Sequence, residues 1–201
     1  MTRLLCLGDS ITDCGRLFLN PPLGNGYVQK LQDRMQAKGF SWTVKNCGVD
    51  GFTVARLLEN AEQSYLPFHA DIITILIGIN DIGLMMNTGR TPRQQASMMN
   101  KFLKDYETLL LKLKRPACRF ILMEPFIFPS PAEYRTWFPP VRTMSLGISK
   151  LADKYNIPYI LLHERLNHAA QMQGTDSITT DGIHLTARGH EILTEELLLK
   201  L

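Results

Sequence analysis

Apolar residues in this chain fall into short unbroken runs separated by stretches in which they recur every three or four positions. The runs predict strands at Arg3–Leu7, Trp42–Asn46, Asp71–Ile77, Arg119–Glu124 and Pro158–Leu162. The periodic stretches predict helices at Tyr27–Lys38, Thr53–Tyr65, Pro92–Lys114, Val141–Tyr155, Glu164–Met172 and Ala187–Leu199. The helix at Pro92 has the clearest start, because Thr91-Pro92-Arg93-Gln94 combines a capping box with proline in the first turn. Its apolar positions Met98, Phe102, Tyr106, Leu109 and Leu113 make one face fit for packing.

Five strands with helices between them predict a parallel sheet covered on both faces, an α/β fold in one domain over residues 1–201. Right-handed crossovers then place every strand-to-helix turn at the carboxyl edge of the sheet. The one irregular stretch is FIFPSPAEYRTWFPP, Phe126 to Pro140, with four prolines and five aromatics. It reads as an elaborated loop, with too many turn residues for a helix.

Composition changes this picture little and narrows the function. With 45% hydrophobic and 20% charged residues the chain is an ordinary soluble globular protein. Its net charge is +3, and its only basic cluster, Lys112, Lys114, Arg115 and Arg119, surrounds a predicted helix end, where cations offset the helix dipole. That argues against nucleic acid as a partner. Cys6, Cys14, Cys47 and Cys118 form no C-x-x-C pair and read as reduced, partly buried thiols. The apolar run after Arg3 ends at Gly8, too soon for a signal peptide, and Ile72–Ile77 is too short to cross a membrane. The expectation is a cytoplasmic protein with no membrane partner.

In an open α/β sheet, ligands bind outside the carboxyl ends of the strands, so the residues after each strand are the ones to inspect. Gly8-Asp9-Ser10 follows the first strand, NCGVDG (Asn46 to Gly51) the second, and GIND (Gly78 to Asp81) the third. After the fifth strand and its helix, TTDGIHLT sets Asp181 and His184 three residues apart. Acyl transfer needs a hydroxyl, a base, an orienter for the base, and donors for the oxyanion. Ser10 can supply the hydroxyl, and His184 can take its proton while its other ring nitrogen donates to Asp181. The Ser10 N–H, the Gly51 N–H and the Asn80 amide can meet the oxyanion.

Other readings compete at each position. His163 follows the fifth strand on the correct edge but has no aspartate close in sequence. His69 precedes a strand, and His168 and His190 fall within helices, so all three read as structural. Asp13, Asp81, Asp181 and His184 would suit a divalent metal, a reading that leaves Ser10 and Asn80 without roles. Asp9 reads as the acceptor that holds the serine turn. Asp9 beside the serine, Met85 after GIND, and Tyr134 and Trp137 in the aromatic loop are candidate substrate contacts. The same aromatics equally suit a subunit interface, hence a homo-oligomer, or a loop packed on itself.

The four blocks, in this order and spacing from Gly8 to His184, resemble the SGNH (GDSL-type) hydrolases. The resemblance implies a three-layer α/β/α sandwich with a five-stranded parallel sheet in flavodoxin-like order. It carries the family's serine, glycine, asparagine and histidine onto Ser10, Gly51, Asn80 and His184, with Asp181 as the histidine's partner. Gly51, five positions after the strand-ending Asn46, is selected over Gly48. It also implies an esterase working through an acyl-enzyme without cofactor or metal. The strings GDSITDCGR, GIND and DGIH look most like small bacterial members acting on acetylated sugars. The expected substrate is thus a small ester, an acetylated saccharide, with lysophospholipase or thioesterase activity and non-catalytic carbohydrate binding as alternatives.

Overall fold

The structure, a computed structural model, describes every residue except Pro21 and Thr88. Strands β1 (Thr2–Gly8), β2 (Trp42–Gly48), β3 (Ile72–Leu76), β4 (Arg119–Met123) and β5 (Tyr159–Ile160) form one parallel sheet. Their order, β2-β1-β3-β4-β5, is the flavodoxin-like one. All five residues of the central strand β3, IITIL, are buried, as a strand covered on both faces requires.

The helices are α1 (Ser10–Asp13), α2 (Tyr27–Ala37), α3 (Val54–Asn60), α4 (Ile79–Met86), α5 (Pro92–Leu113), α6 (Phe138–Tyr155), α7 (His163–Gln173), α8 (Thr175–Ile178) and α9 (Ala187–Leu198). Packing of α2 on α9, and of α9 on α8 and α8 on α7, builds one layer; α3 on α5 and α5 on α6 build the other. No helix among the described residues is long and apolar enough to cross a membrane.

Helix α5 begins as its sequence predicts: the Thr91 Oγ1 accepts the Gln94 N–H at 3.3 Å, and the Gln94 side chain accepts the Thr91 N–H at 2.9 Å. Its buried face carries Met99 where Met98 was expected, with Phe102, Tyr106, Leu109, Leu110 and Leu113. The basic cluster at its end is spent locally. Lys112 pairs with Glu62 at 2.8 Å, and Arg115 and Arg119 donate to the Ala70 and Lys200 carbonyls.

Three segments depart from expectation for identifiable reasons. The helix expected at Thr53–Tyr65 ends as α3 at Asn60, and Ala61–Tyr65 continues it as a wider π turn. Strand β5 is only two residues long, because the Leu162 and His163 N–H groups both donate to the buried Glu124 Oε2, each at 2.8 Å. The chain is thereby turned into α7. Helix α6 starts at Phe138, inside the stretch read as loop, with Pro139 and Pro140 in its first turn, where a missing N–H breaks no helical bond.

The four cysteines are free, and Cys14 and the buried His190 tie α1 to α2 and α9. His190 Nδ1 accepts the Tyr27 N–H at 3.2 Å, and its Nε2 lies 3.4 Å from Cys14 Sγ. Burial pushes the His190 pKa down to about 4, helped by Lys30 and His184. Between an ordinary 6.5 and about 4 the unfolded chain therefore binds a proton that the folded chain refuses. The stabilisation from neutral His190 is complete above that window and lost as pH falls through it, about 3 kcal/mol in all. Urea midpoints measured from pH 7 to 4 are expected to fall less steeply for His190→Asn than for wild type. Parallel curves would show that His190 is not the group responsible.

Candidate active site

Strand β1 delivers the serine. At its end a Cβ on Gly8 would lie 2.1 Å from Thr12 Oγ1 and 2.5 Å from the Leu76 carbonyl oxygen, so only glycine lets α1 fold back so closely. Asp9, almost fully buried, caps α1 by accepting the Ile11 N–H at 3.0 Å. Its pKa is pushed up to about 7 by burial, against the opposing pull of the Ile11 N–H and of His184. Ser10 stands next to this cap as the first residue of α1, its side chain half-buried.

Asn46, from β2, and Arg16, just after α1, tie this turn to β2, and the sequence pattern alone gave neither a role. The buried Asn46 side chain donates to the Thr12 carbonyl at 2.6 Å and the Leu23 carbonyl at 2.8 Å, and accepts the Gly48 N–H at 2.8 Å. Arg16 Nε donates to the Gly48 carbonyl at 2.6 Å. The available signal was an asparagine inside a strand, where its polar side chain needs partners.

The second and third loops hold each other. Val49 to Phe52 is a turn closed by the Phe52 N–H on the Val49 carbonyl at 3.1 Å, with Gly51 at φ 72°. Asn80, in the first turn of α4, donates through Nδ2 to the Phe52 carbonyl at 3.0 Å. Asp81 beside it accepts the Val54 N–H at 3.2 Å. Burial raises the Asp81 carboxyl to about 7, the Val54 N–H working against it. The Ser10 and Gly51 N–H groups have no acceptor among the described residues.

Asp181 and His184 stand on a tight loop before α9. The Thr180 N–H donates to the His184 carbonyl at 3.0 Å, and the Thr179 hydroxyl to the same oxygen at 2.7 Å. Asp181 Oδ1 accepts the His184 and Ile183 N–H groups at 2.8 and 2.9 Å. Oδ2 lies 2.6 Å from His184 Nδ1, and His184 Nε2 lies 2.9 Å from Ser10 Oγ. Partial burial pushes the Asp181 carboxyl up, but the His184 ring and the two N–H donors outweigh it and hold its pKa below the usual range. A serine hydroxyl, an imidazole and an ionised carboxylate thus form one continuous hydrogen-bonded series, although Ser10 and His184 lie 174 residues apart in sequence.

The aromatic loop supports this series from behind. Phe128 N–H donates to the Gly182 carbonyl at 2.9 Å, and a Cβ on Gly182 would fall 1.8 Å from the Ser130 carbonyl oxygen. Phe126, Phe128 and Trp137 are buried, so the loop is packed on itself and on the core. Tyr134, half-buried, lies against Trp137 with ring centroids 4.8 Å apart and the rings tilted at 47°, and touches the space beside Gly182. Met85, 2% exposed, lies in the core at the base of a groove with Met86, Met99 and Pro140. Among the candidate contacts Asp9, Met85, Tyr134 and Trp137, only Tyr134 is not fully buried.

The remaining histidines are placed elsewhere. His163 Nδ1 accepts the Ile127 N–H at 3.4 Å, its ring lies 4.9 Å from that of Phe138, and burial lowers its pKa. His69 pairs with Arg115, and His168 lies exposed on α7. The acidic groups of the metal reading are divided among separate partners: Asp13 takes the Arg16 N–H, Asp81 that of Val54, and Asp181 those of its own loop. Among the described residues no three His, Cys, Asp or Glu side chains converge as a metal site.

A hydroxyl–imidazole–carboxylate series at the carboxyl edge of a parallel sheet has the arrangement of a serine hydrolase. Comparison with known proteins is more specific: the chain belongs to the GDSL-like lipase/acylhydrolase family, whose model matches residues 6–192. An acetylxylan esterase from Geobacillus stearothermophilus is 28% identical over 213 residues, covering 99% of this chain and 93% of that protein. A solved variant of that esterase superposes with a TM-score of 0.87 at 25% identity, covering 99% of this chain and 94% of the other. A second variant, described as an acetyl-xylooligosaccharide esterase, gives 0.85 at 25% identity, covering 99% and 93%. Further variants of the same protein, described as catalytic mutants, replace a serine, an aspartate and a histidine with alanine. The aspartate and histidine are three positions apart.

Proposed function

We propose that this protein is a serine esterase that removes acetyl groups from saccharides through an acyl-enzyme. The observation that carries the reading is the hydrogen-bonded series Ser10–His184–Asp181 in a chain aligned end to end with an acetylxylan esterase. The three-residue spacing of aspartate and histidine in the relative's catalytic mutants is the spacing of Asp181 and His184 here.

Ser10 Oγ attacks the ester carbonyl as His184 Nε2 takes its proton, and Asp181 holds the ring and stabilises the imidazolium. The Ser10 and Gly51 N–H groups and the second N–H of the Asn80 amide, the first being used on Phe52, meet the oxyanion. His184 then protonates the leaving sugar hydroxyl, and water, activated by the same imidazole, releases acetate and restores the serine. Water is the only co-substrate. The four loops come from across residues 1–201, which act as one catalytic unit in this reading.

Two substrate series test it. Purified protein is expected to release acetate from acetylated xylo-oligosaccharides, and to hydrolyse p-nitrophenyl acetate faster than the butyrate or octanoate. Preference for octanoate would move the substrate towards lipids. No turnover of any ester above background would defeat the enzymatic reading and leave saccharide binding to be measured.

A further inference from the structure

Asp81 has no part in the series just described, yet it is mostly buried at the same edge and spends its carboxylate on another loop. The turn Val49–Phe52 presents the Gly51 N–H, and two bonds hold the chain immediately after it. Asn80 donates to the Phe52 carbonyl at 3.0 Å, and Asp81 accepts the Val54 N–H at 3.2 Å. Two adjacent side chains of α4 thus grip the peptides on either side of Thr53, one as donor and one as acceptor.

The grip is not duplicated locally. Val54 is the first residue of α3, and Thr53, its N-cap, makes no side-chain capping bond. Asp81 therefore caps α3 from the first turn of α4, at the helix end where a carboxylate is favoured. Gly51 contributes no side-chain packing of its own: a Cβ there would meet nothing within 4 Å. Its position is set by the turn and by what anchors the turn.

We propose that Asp81 is a positioning residue for ester hydrolysis: by accepting the Val54 N–H it fixes the turn that aims the Gly51 N–H at the oxyanion. It acts through Gly51 and does not touch the substrate. The proposal rests on the serine-esterase reading above. It makes the Asn80-Asp81 pair bifunctional, Asn80 serving both the oxyanion and the turn, Asp81 the turn alone.

Asp81→Ala is expected to lower kcat on p-nitrophenyl acetate about 10- to 100-fold, the scale of an ångström-size misplacement, with KM within about twofold. Affinity for a boronic acid, which forms a tetrahedral adduct on the serine, should fall by a similar factor. Asp81→Asn keeps an oxygen acceptor for Val54 and should stay within about threefold of wild type. Adding Thr53→Asp to Asp81→Ala supplies a local cap. It should recover the thermal midpoint of α3's anchorage without recovering kcat.

Val54→Pro removes the same hydrogen bond from the donor side at a helix position that tolerates proline. It carries the test if Asp81→Ala does not fold, and the same loss of kcat is expected. Wild-type kcat in Asp81→Ala or Val54→Pro overturns the proposal. So does recovery of kcat by Thr53→Asp, which would make Asp81 a helix cap and nothing more. Retained hydrolysis in Ser10→Ala, run alongside, would instead bring down the serine reading itself.

Discussion

Ser10→Ala is expected to abolish ester hydrolysis, lowering kcat by about 10⁶-fold, while leaving the thermal midpoint within a degree or two of wild type. Both halves follow from the site. The Ser10 hydroxyl contacts His184 Nε2 at 2.9 Å and supports nothing else in the fold, and the side chain is only half-buried. Its removal therefore opens no core cavity. His184→Ala should cost about as much in rate, and the double variant no more than either single one, because the two act as a unit. Steady-state rates on p-nitrophenyl acetate for the three proteins decide the matter. Additive losses in the double variant would mean that hydroxyl and imidazole work in separate steps.

The sequence legible at the site was the sequence whose chemistry is local. Asp181 and His184 lie three residues apart, and the bonds that join them, from two N–H groups and one ring nitrogen, all fall within their own loop. Ser10 announces itself because strand β1 stops at a glycine that nothing larger can replace. Long periodic segments such as α5 were legible for the same reason: twenty-two residues give the period many chances to show.

What escaped was short or set by distant partners. Helices α1 and α4 span four and eight residues, too few turns for a period, though they carry Ser10 and Asn80. The apolar run predicts a longer β5 than forms, because its end is decided by Glu124, 38 residues from the Leu162 N–H it captures. The aromatic loop offered exposure and burial equally; in the fold Phe126 and Phe128 are buried, and the Phe128 N–H is held by the Gly182 carbonyl of the Asp181–His184 loop, a partner 54 residues away. Asn46 and Asp81 were visible as polar residues near strand ends, but their roles depend on the Thr12 and Leu23 carbonyls and the Val54 N–H, 23 to 34 residues away.

The loops that would meet the oxyanion are therefore tied to one another. Asn46 and Arg16 tie the serine turn to β2, and Asn80 and Asp81 tie the glycine turn to α4. Such a frame places donors before the substrate arrives, so little reorganisation remains when charge develops. The histidine side is different. Its ring is nearly half exposed and is located chiefly by the carboxylate beneath it.

That difference sets the second large expectation. Asp181→Asn should lower kcat by about 10⁴-fold with only a small change in KM, although asparagine is nearly the same shape. The two oxygens of Asp181 have unlike surroundings: Oδ1 receives the Ile183 and His184 N–H groups, and Oδ2 faces His184 Nδ1. In the variant, two backbone donors require the amide oxygen at the Oδ1 position, which leaves the NH₂ facing the ring. Nδ1 must then accept, the ring proton moves to Nε2, and the nitrogen facing Ser10 can no longer take the hydroxyl proton. Backbone bonds thus lock in the wrong tautomer, and rotating the amide would set its NH₂ against two N–H donors. The ring proton of His184, followed by NMR in both proteins, should shift from Nδ1 in wild type to Nε2 in the variant. Wild-type kcat in Asp181→Asn, or a proton still on Nδ1, would show that the carboxylate does not set the tautomer of His184.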